Sequence, residues 1–358
     1  MSTVAKIRAA LREKNLDALL VKEEKNRRYV AGFHSSAGMA FITADVAFFI
    51  TDSRYIEAAR AKLADDFTVA ESTAQKTEKD WLKELTSEYG VKTLGFEEDF
   101  LSVSAFRELK QAAEKAYTFA PAQEILWTLR AGKSEAELAH MIAAQRIAEK
   151  ALDEVLKLIR PGVRERDLAA ELSYRMSLFG GEGNSFDPIV VAGARSSMPH
   201  GEPGDNVVQQ GDFVTLDFGC VVEGYCSDMT RTVAVGAVSE EMRKVYGIVL
   251  EAQLAGIAAA RPGLVGSEVD AAARKVIADA GYGAYFGHGF GHSLGLDIHE
   301  NPNAAKTEEN PLPEGAVLSA EPGIYLPGKF GVRIEDVMVL RAGGAEVITR
   351  APKELRIL

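Results

Sequence analysis

The chain contains little of what would identify several common protein classes. It has only two cysteines in 358 residues, Cys220 and Cys226. One such pair does not make a disulfide framework, and a cysteine zinc site would need a second pair. We therefore interpret both as small, partly buried residues rather than as redox groups or metal ligands.

Long apolar runs and clusters of positive charge are also missing. No run approaches the roughly 18 residues of a membrane-spanning helix, and the charged, amphipathic segment 1–14 lacks the apolar core of a secretory signal. The formal net charge is −11, and no basic cluster stands out. These absences argue against partners such as nucleic acid or an anionic membrane, and they predict a cytoplasmic protein.

The length and the order of patterns predict two domains. Strand-like apolar runs alternate with helical segments in the first third of the chain, which predicts an α/β domain. We place this domain at 1–124 and a second domain at 125–358, with a connection near 121–133. The predicted strands are 18–21, 39–42, 47–50 and 91–96. The predicted helices are 3–20, which leads into the first strand, 53–64, 77–89 and 102–115.

The second domain contains an internal repeat. Arg160-Pro161-Gly162 and Arg261-Pro262-Gly263 are each followed by a similar acidic and apolar segment. Such a duplication predicts two halves, each with two helices and a sheet, that face each other across a cleft. A chance similarity of two Arg-Pro-Gly turns is the alternative. The predicted helix pairs are 135–158 with 165–178, and 239–260 with 267–280.

Carboxylates in strand-like segments are the first sign of chemistry. Asp217 lies on the polar face of the alternating segment 213–219, and Asp228 begins the polar face of the next strand. A hairpin would bring both onto one side, where they repel strongly unless a cation lies between them. Arg333 and Glu335 likewise share one face of a strand, so the arginine can orient a carboxylate. Surface aspartates and a plain cross-strand ion pair are the alternatives.

Histidine is concentrated in one glycine-rich segment. His288, His292 and His299 lie within twelve residues, among glycines that let the backbone pass close to a ligand. Such a group indicates a site in which some imidazoles bind metal and others donate hydrogen bonds or carry protons. His200, in a loop stiffened by prolines, is a fourth candidate. The other two, His34 and His140, are interpreted as structural.

These segments together resemble a known family. The stretches around Asp217, Asp228, His292, Glu321 and Glu335 resemble the metal-ligand motifs of the pita-bread metallopeptidases, within them the Xaa-Pro aminopeptidase (aminopeptidase P) and prolidase branch. The resemblance implies an α/β creatinase-like N-terminal domain and an α+β pita-bread catalytic domain with a pseudo-twofold internal repeat. Further segments that resemble this branch are 185–193, 196–200 and 292–300, and 26–33 and 51–55 resemble the creatinase-type domain.

The resemblance also implies two divalent cations. Asp217 would chelate one, His292 and Glu321 would hold the other, and Asp228 and Glu335 would bridge the pair. Ligation that is rich in oxygen with one histidine admits Mn²⁺, Co²⁺, Fe²⁺ or Zn²⁺, and Mn²⁺ is the first expectation on family grounds.

Further roles follow from the same resemblance. Glu321 would accept a proton from a metal-activated water. His299 or His288 would steady the substrate carbonyl oxygen or pass a proton to the departing imide nitrogen. His200 would contact the substrate, and Arg333 would fix the geometry of the bridging carboxylates.

The implied activity is hydrolysis of the bond between an N-terminal residue and a following proline, in an expected homodimer. Many prolidases that this chain resembles have an arginine where it has Asn303, which favours peptides longer than a dipeptide. A strict Xaa-Pro dipeptidase is the alternative. Weaker alternatives are a methionine aminopeptidase-like enzyme and a metal-free binding protein on the same scaffold.

Overall fold

A computed structural model describes residues 2–63 and 65–358 of the chain. The chain divides into two units, Met1–Leu129 and Arg130–Leu358. This division lies within one helix, Gln123–Ala131, so the domain boundary that we place between 124 and 125 stays a prediction. Among the described residues, none of the helices combines the length and the apolar character that a membrane crossing requires.

The N-terminal unit is built on one mixed sheet, as the predicted α/β class requires. Its strands are β1 (Ala18–Val21), β2 (Met39–Thr43), β3 (Ala47–Thr51), β4 (Thr68–Glu71), β5 (Thr93–Phe96) and β6 (Thr118–Pro121). Its helices are α1 (Thr3–Glu13), α2 (Glu24–Ala31), α3 (Ile56–Leu63), α4 (Glu78–Glu88), α5 (Val103–Ala112) and α6 (Gln123–Ala131). The strand order is β4-β3-β2-β1-β5-β6, with β1 antiparallel to β2 and parallel to β5.

The predicted elements of this unit are found, except that the first helix ends at Glu13 and not at residue 20, and several others were missed. Residue 64, the predicted end of the helix at 53–64, lies outside the described residues. Strand β1 is buried along its whole length, as expected for an apolar run covered on both faces. The segment that we interpreted as a connection near 121–133 is largely helix α6. Its Ile125 and Leu126 pack into the same apolar cluster as Ile7 and Leu11 of α1, so tertiary packing stabilises a helix that follows Pro121.

The second unit contains two helix pairs, each followed by strands. The helices are α7 (Glu135–Val155), α8 (Glu165–Leu178), α9 (Glu240–Ala259) and α10 (Gly266–Asp279). The strands after the first pair are β7 (Ile189–Ala192), β8 (Phe213–Phe218), β9 (Val221–Val222), β10 (Tyr225–Cys226) and β11 (Met229–Ala234). Those after the second pair are β12 (Gly291–Ser293), β13 (Glu300–Ala304), β14 (Val317–Ala320), β15 (Gly323–Leu326), β16 (Phe330–Arg333), β17 (Asp336–Arg341) and β18 (Gly344–Val347).

The repeated Arg-Pro-Gly turns make the same backbone hydrogen bonds. The N–H of Gly162 donates to the carbonyl of Val208, and the N–H of Val208 donates back to Val163. In the second half, Gly263 donates to Leu312, and Leu312 donates back to the residue after Gly263. The duplication in the sequence is therefore a duplication in structure, and chance similarity is not its origin.

Each half supplies its own sheet. Strands β11-β8-β7 form a three-stranded sheet from the first half, and β13-β12-β14-β17-β18 form a five-stranded sheet from the second. Strand β11 is an edge strand, and residues of the second half bond to it. The N–H of Glu335 donates to the carbonyl of Thr230 at 3.1 Å, and the hydroxyl of Thr232 donates to the carbonyl of Arg333 at 2.9 Å. These bonds fix the two halves against each other.

The two turn glycines give a test of the duplication. Gly162 and Gly263 have φ of +96° and +82°, and a Cβ on either would meet nothing within 4 Å. Replacing each with alanine should therefore act only through the backbone and lower the free energy of unfolding by about 1 kcal/mol. Gly247, an exposed glycine inside α9 with equally open surroundings, is the control, since Gly247→Ala should stabilise. Chemical denaturation measures all three, and opposite signs for the two turn variants would contradict their equivalence.

Candidate metal centre and active site

The first half of the second unit supplies two aspartates. Asp217 lies on β8 opposite Thr230 of β11, and Asp228 comes directly before β11. A tight turn between β9 and β10, with positive φ at Glu223 and Gly224, returns the chain. Both carboxylates therefore end on one side of the hairpin, as the alternation predicts.

The second half supplies the histidine and two glutamates. His292 is the middle residue of β12, Glu321 follows β14 directly, and Glu335 precedes β17. A Cβ at Gly291 would lie 2.0 Å from the carbonyl oxygen of Ser319, so only glycine lets β12 pack this closely on β14. His292 Nε2 lies 3.3 Å from Glu321 Oε1 and 3.5 Å from Asp228 Oδ2 of the other half.

Side-chain donors hold three of these carboxylates by one oxygen each. Thr230 Oγ1 donates to Glu335 Oε2 at 2.6 Å, and Ser319 Oγ donates to Glu321 Oε1 at 3.0 Å. Arg333 Nη2 donates to Asp217 Oδ2 at 2.6 Å. The arginine therefore bonds directly to Asp217. It reaches Glu335, one of the two carboxylates that the resemblance assigns to it, through the hydroxyl of Thr230, to which Arg333 Nε donates at 3.2 Å.

The buried carboxylates raise one another's pKa. Burial raises the pKa of Asp228 well above its usual value, and the charges of Glu335 and Asp217 raise it further. Burial also raises the pKa of Glu335 well above its usual value, together with the charges of Glu321 and Asp217. Burial lowers the pKa of His292, which favours the neutral imidazole that metals bind. The cluster therefore carries more negative charge than the single arginine that contacts it, Arg333, can balance.

The unsatisfied oxygens show that divalent cations fit here. Among the described residues, Asp217 Oδ1, Asp228 Oδ1 and Glu335 Oε1 are buried with no hydrogen-bond partner. One ligand atom each of Asp228, His292 and Glu335 lie within 4.8 Å of one another. Buried polar atoms without partners lower the stability of the fold. Carboxylate oxygens together with one imidazole are ligands that bind a divalent cation. This cluster of acids and histidine can therefore bind divalent metal.

His288 is committed to a chain of hydrogen bonds. Its Nε2 lies 2.8 Å from the hydroxyl of Tyr325, its Nδ1 lies 2.8 Å from the carbonyl of Gly289, and Arg333 Nη1 donates to the Tyr325 hydroxyl at 2.9 Å. Burial lowers the pKa of His288 and raises the pKa of Tyr325 to about 12. The carbonyl requires Nδ1–H of a neutral ring, so Nε2 accepts from the tyrosine hydroxyl.

His299 is exposed at the same cavity. Its ring centroid lies 4.4 Å from that of His292, and burial together with the charge of His292 lowers its pKa. The next residue, Glu300, is anchored beneath it by Arg130 Nη2 at 2.5 Å and Lys133 Nζ at 2.9 Å. Burial raises the pKa of Glu300, but the charges of Lys133 and Arg130 outweigh burial and lower it to about 2.

All of the candidate residues line one cavity of about 540 Å³. His200 is exposed on its wall, beside Pro199 and Glu202. The lining that the sequence indicated comprises His200, Asp217, Asp228, His288, His292, His299, Asn303, Glu321, Arg333 and Glu335. The two histidines interpreted as structural lie elsewhere: His140 stacks on Tyr225, and His34 lies 3.4 Å from Glu24.

Sequence reasoning missed the groups that hold the site from behind. Tyr325 and Ser319 lie within four residues of Glu321, and Thr230 lies two residues from Asp228. Thr230 is visible in the alternation of its strand, but a tyrosine in an apolar run carries no such signal. Both cysteines are buried thiols, and burial raises the pKa of Cys220 to about 12, in agreement with a packing role.

Comparisons with known proteins agree with this geometry. The pattern of metallopeptidase family M24 matches residues 139–342, and that of the creatinase/prolidase N-terminal domain matches residues 4–131. An uncharacterized peptidase of Bacillus subtilis is 40% identical over 356 residues, with 99% of each chain covered.

Two solved structures extend the likeness to the fold. A structure named Xaa-Pro dipeptidase from Bacillus anthracis superposes with a TM-score of 0.95 at 42% identity and covers 99% of each chain. An X-Pro aminopeptidase from Thermotoga maritima gives 0.92 at 37% identity, over 98% of this chain and all of its own. Since the match to the M24 pattern spans more than half of the sequence and these relatives extend along nearly all of it, the chain belongs to metallopeptidase family M24.

Proposed function

We propose that this protein is a dinuclear-metal peptidase that hydrolyses the bond between an N-terminal residue and a following proline. One observation carries the proposal: three unsatisfied, buried carboxylate oxygens and one imidazole converge in a cavity that also exposes His200 and His299. The names of related structures, one a dipeptidase and one an aminopeptidase, support the Xaa-Pro specificity.

Five side chains would hold the cations. We assign Asp217 to one ion, His292 and Glu321 to the other, and Asp228 and Glu335 to both, with Mn²⁺ as the first metal to test. When bound, the cations activate water and polarise the substrate carbonyl as Lewis acids. Arg333, Thr230 and Ser319 each donate to one oxygen of an acceptor carboxylate, and the second oxygens of Asp217 and Glu335 have no hydrogen-bond partner.

Proton transfer falls to residues of the second half. Ser319 Oγ and His292 Nε2 both approach Glu321 Oε1, so Oε2 takes the proton of the attacking water. His299 is exposed to the cavity, whereas both ring nitrogens of His288 already have partners. We therefore assign the carbonyl oxygen and the departing imide nitrogen to His299. His288 takes part in catalysis through Tyr325 and Arg333, whose positions it fixes.

Residues of the cavity wall would determine the preferred length of the peptide substrate. His200 would contact the peptide beyond the scissile bond, and the neutral Asn303 cannot form an ion pair with the carboxylate of a dipeptide. We therefore expect Xaa-Pro peptides longer than two residues to be better substrates. A homodimer remains our expectation for the assembly.

A cleavage assay with Mn²⁺ tests the activity. We expect an Xaa-Pro tripeptide and, less rapidly, an Xaa-Pro dipeptide to be cleaved after the first residue, and Met-Ala-Ser to remain intact. Replacing Mn²⁺ with Co²⁺, Fe²⁺ or Zn²⁺ ranks the metals. Cleavage of Met-Ala-Ser alone would identify a methionine aminopeptidase-like enzyme, and metal-bound protein that cleaves none of the three would contradict peptidase function.

The substitution Asp228→Asn should change metal binding and the stability of the metal-free fold in opposite directions. Asp228 is buried and repelled by Glu335 and Asp217, so the metal-free variant should unfold at a higher denaturant concentration than metal-free wild type. It should bind fewer metal ions and lose Xaa-Pro cleavage, because a bridging ligand is gone. Atomic emission measures the metal, and chemical denaturation with and without Mn²⁺ measures the stability.

The control for this variant is an aspartate of equal burial outside the cluster. Asp336→Asn alters a side chain that Arg231 and Gln253 already bind, so the metal-free protein should become less stable rather than more. Retained Xaa-Pro cleavage by Asp228→Asn, at wild-type metal content, would exclude the two-metal assignment.

Kinetics can distinguish the role proposed for His299 from that proposed for His288. His299→Ala should lower kcat by roughly 100-fold, because it removes a proton donor at the reacting atoms, while metal content stays at the wild-type value. His288→Gln should cost less, since a glutamine amide can still accept from Tyr325. The reverse order of the two effects would transfer the substrate role to His288.

A further inference from the structure

We infer that two acid–arginine pairs, one in each half and each with a buried acid, position the histidine-bearing walls of the cavity. Glu165 and Arg195 position the segment of His200, and Asp270 and Arg274 position the segment of His288. The pairs are positioning residues for the proposed peptidase, and the inference rests on that proposed function.

The carboxylate of Glu165 is shielded from water, and its hydrogen-bond donors come from the protein. Its side chain is fully buried, and it is the first residue of α8, where the positive end of the helix favours an anion. The N–H of Ala192 donates to Oε1 at 2.8 Å, and the N–H of Gly204 donates to Oε2 at 3.2 Å. Asn206 Nδ2 adds a third donor at 2.8 Å.

Arg195 links Glu165 to the middle of the loop 192–206. Its Nε donates to Glu165 at 3.1 Å, and its Nη2 donates to the carbonyl of Glu202 at 2.6 Å. The chain from 192 to 206 is therefore held at both ends and near its centre, with His200 between. Because His200 is exposed, packing does not hold its side chain in place, and the backbone bonds around it carry that task.

The second half repeats the arrangement. Asp270 on α10 is buried and accepts from the N–H of Phe290 at 2.9 Å and from Arg274 Nε at 2.7 Å. Arg274 donates in turn to the carbonyl of Phe286 at 2.9 Å and to that of His288 at 2.7 Å. Again an acid on the second helix of the pair holds a backbone N–H, and its arginine holds carbonyls of a segment that carries a cavity histidine.

The two pairs share a role rather than an equivalent position. Each acid lies on the helix that follows a repeated Arg-Pro-Gly turn, Glu165 as the first residue of α8 and Asp270 as the fifth residue of α10. The two pairs differ in which segment donates and in how the arginine reaches the acid, since Arg274 is on the same helix as Asp270 and Arg195 is on the loop itself. What both halves share is the outcome, a histidine segment tied to a helix by charge-assisted hydrogen bonds.

A double-mutant cycle at Arg195 and His200 tests the first pair. Arg195→Met keeps the aliphatic stem and removes the bonds to Glu165 and Glu202. In otherwise wild-type protein it should lower kcat/KM for an Xaa-Pro tripeptide by roughly tenfold to 100-fold. In the His200→Ala background the same change should alter kcat/KM by no more than about twofold, because the side chain that it positions is gone.

Three further measurements accompany the cycle. Arg195→Lys should recover part of the activity. Arg175→Met is the matched control: Arg175 pairs with Glu171 on the same helix α8, and its side chain is 30% exposed against 34% for Arg195, so kcat/KM should stay at the wild-type value. In Arg195→Met, backbone hydrogen exchange should become faster in 193–206 and stay unchanged around His288, with metal content retained.

The outcomes separate the inference from the function on which it rests. An equal loss in both backgrounds, or a loss of metal in Arg195→Met, would show a general structural role and overturn the inference. Wild-type protein that cleaves no Xaa-Pro peptide would contradict the proposed function instead. Hydrogen exchange would then still decide the positioning role, since unchanged exchange in 193–206 would overturn it and faster exchange confined there would support it.

Discussion

Repulsion among buried carboxylates is the constraint on which this structure depends. Asp217, Asp228, Glu321 and Glu335 share one cavity, and Asp228 and Glu335 have strongly raised pKa values. The guanidinium of Arg333 is the one fixed positive charge among the side chains lining that cavity. Such a cluster destabilises the fold unless protons or cations neutralise it. Divalent metal bound to these carboxylates would therefore stabilise the second unit.

The internal duplication makes this arrangement attainable. Neither half supplies the whole cluster alone. The aspartates come from β8 and from the residue before β11, whereas the imidazole comes from β12 and the glutamates from positions next to β14 and β17. The contacts of Glu335 and Arg333 with β11 fix the distance between the two sets. A change in that distance would separate the two aspartates from the histidine and the glutamates, so the cluster depends on the polar contacts between the halves as well.

The sequence predicted what depends on local pattern. Alternation along strands placed Asp217 and Asp228 on one face, and two similar turns revealed the halves. What could not be predicted depends on distant partners: the ion pairs of Glu300 with Arg130 and Lys133 join residues about 170 apart. The spacing of apolar and polar residues along the sequence gives no indication of an ion pair between such distant residues. Helix α6 was missed for the same reason, because its apolar face is completed by α1.

We expect substrate length to depend on other side chains than those proposed to bind metal. Two structures that superpose on this chain with TM-scores of 0.95 and 0.92 are named for a dipeptidase and an aminopeptidase, so the backbone alone does not determine the choice. The cavity wall is formed by loops around His200 and by the segment from Ile298 to Ala305. Asn303 lies in this wall on the edge strand β13, so an exchange to arginine there would add a positive charge at the cavity without replacing any of the acids or His292.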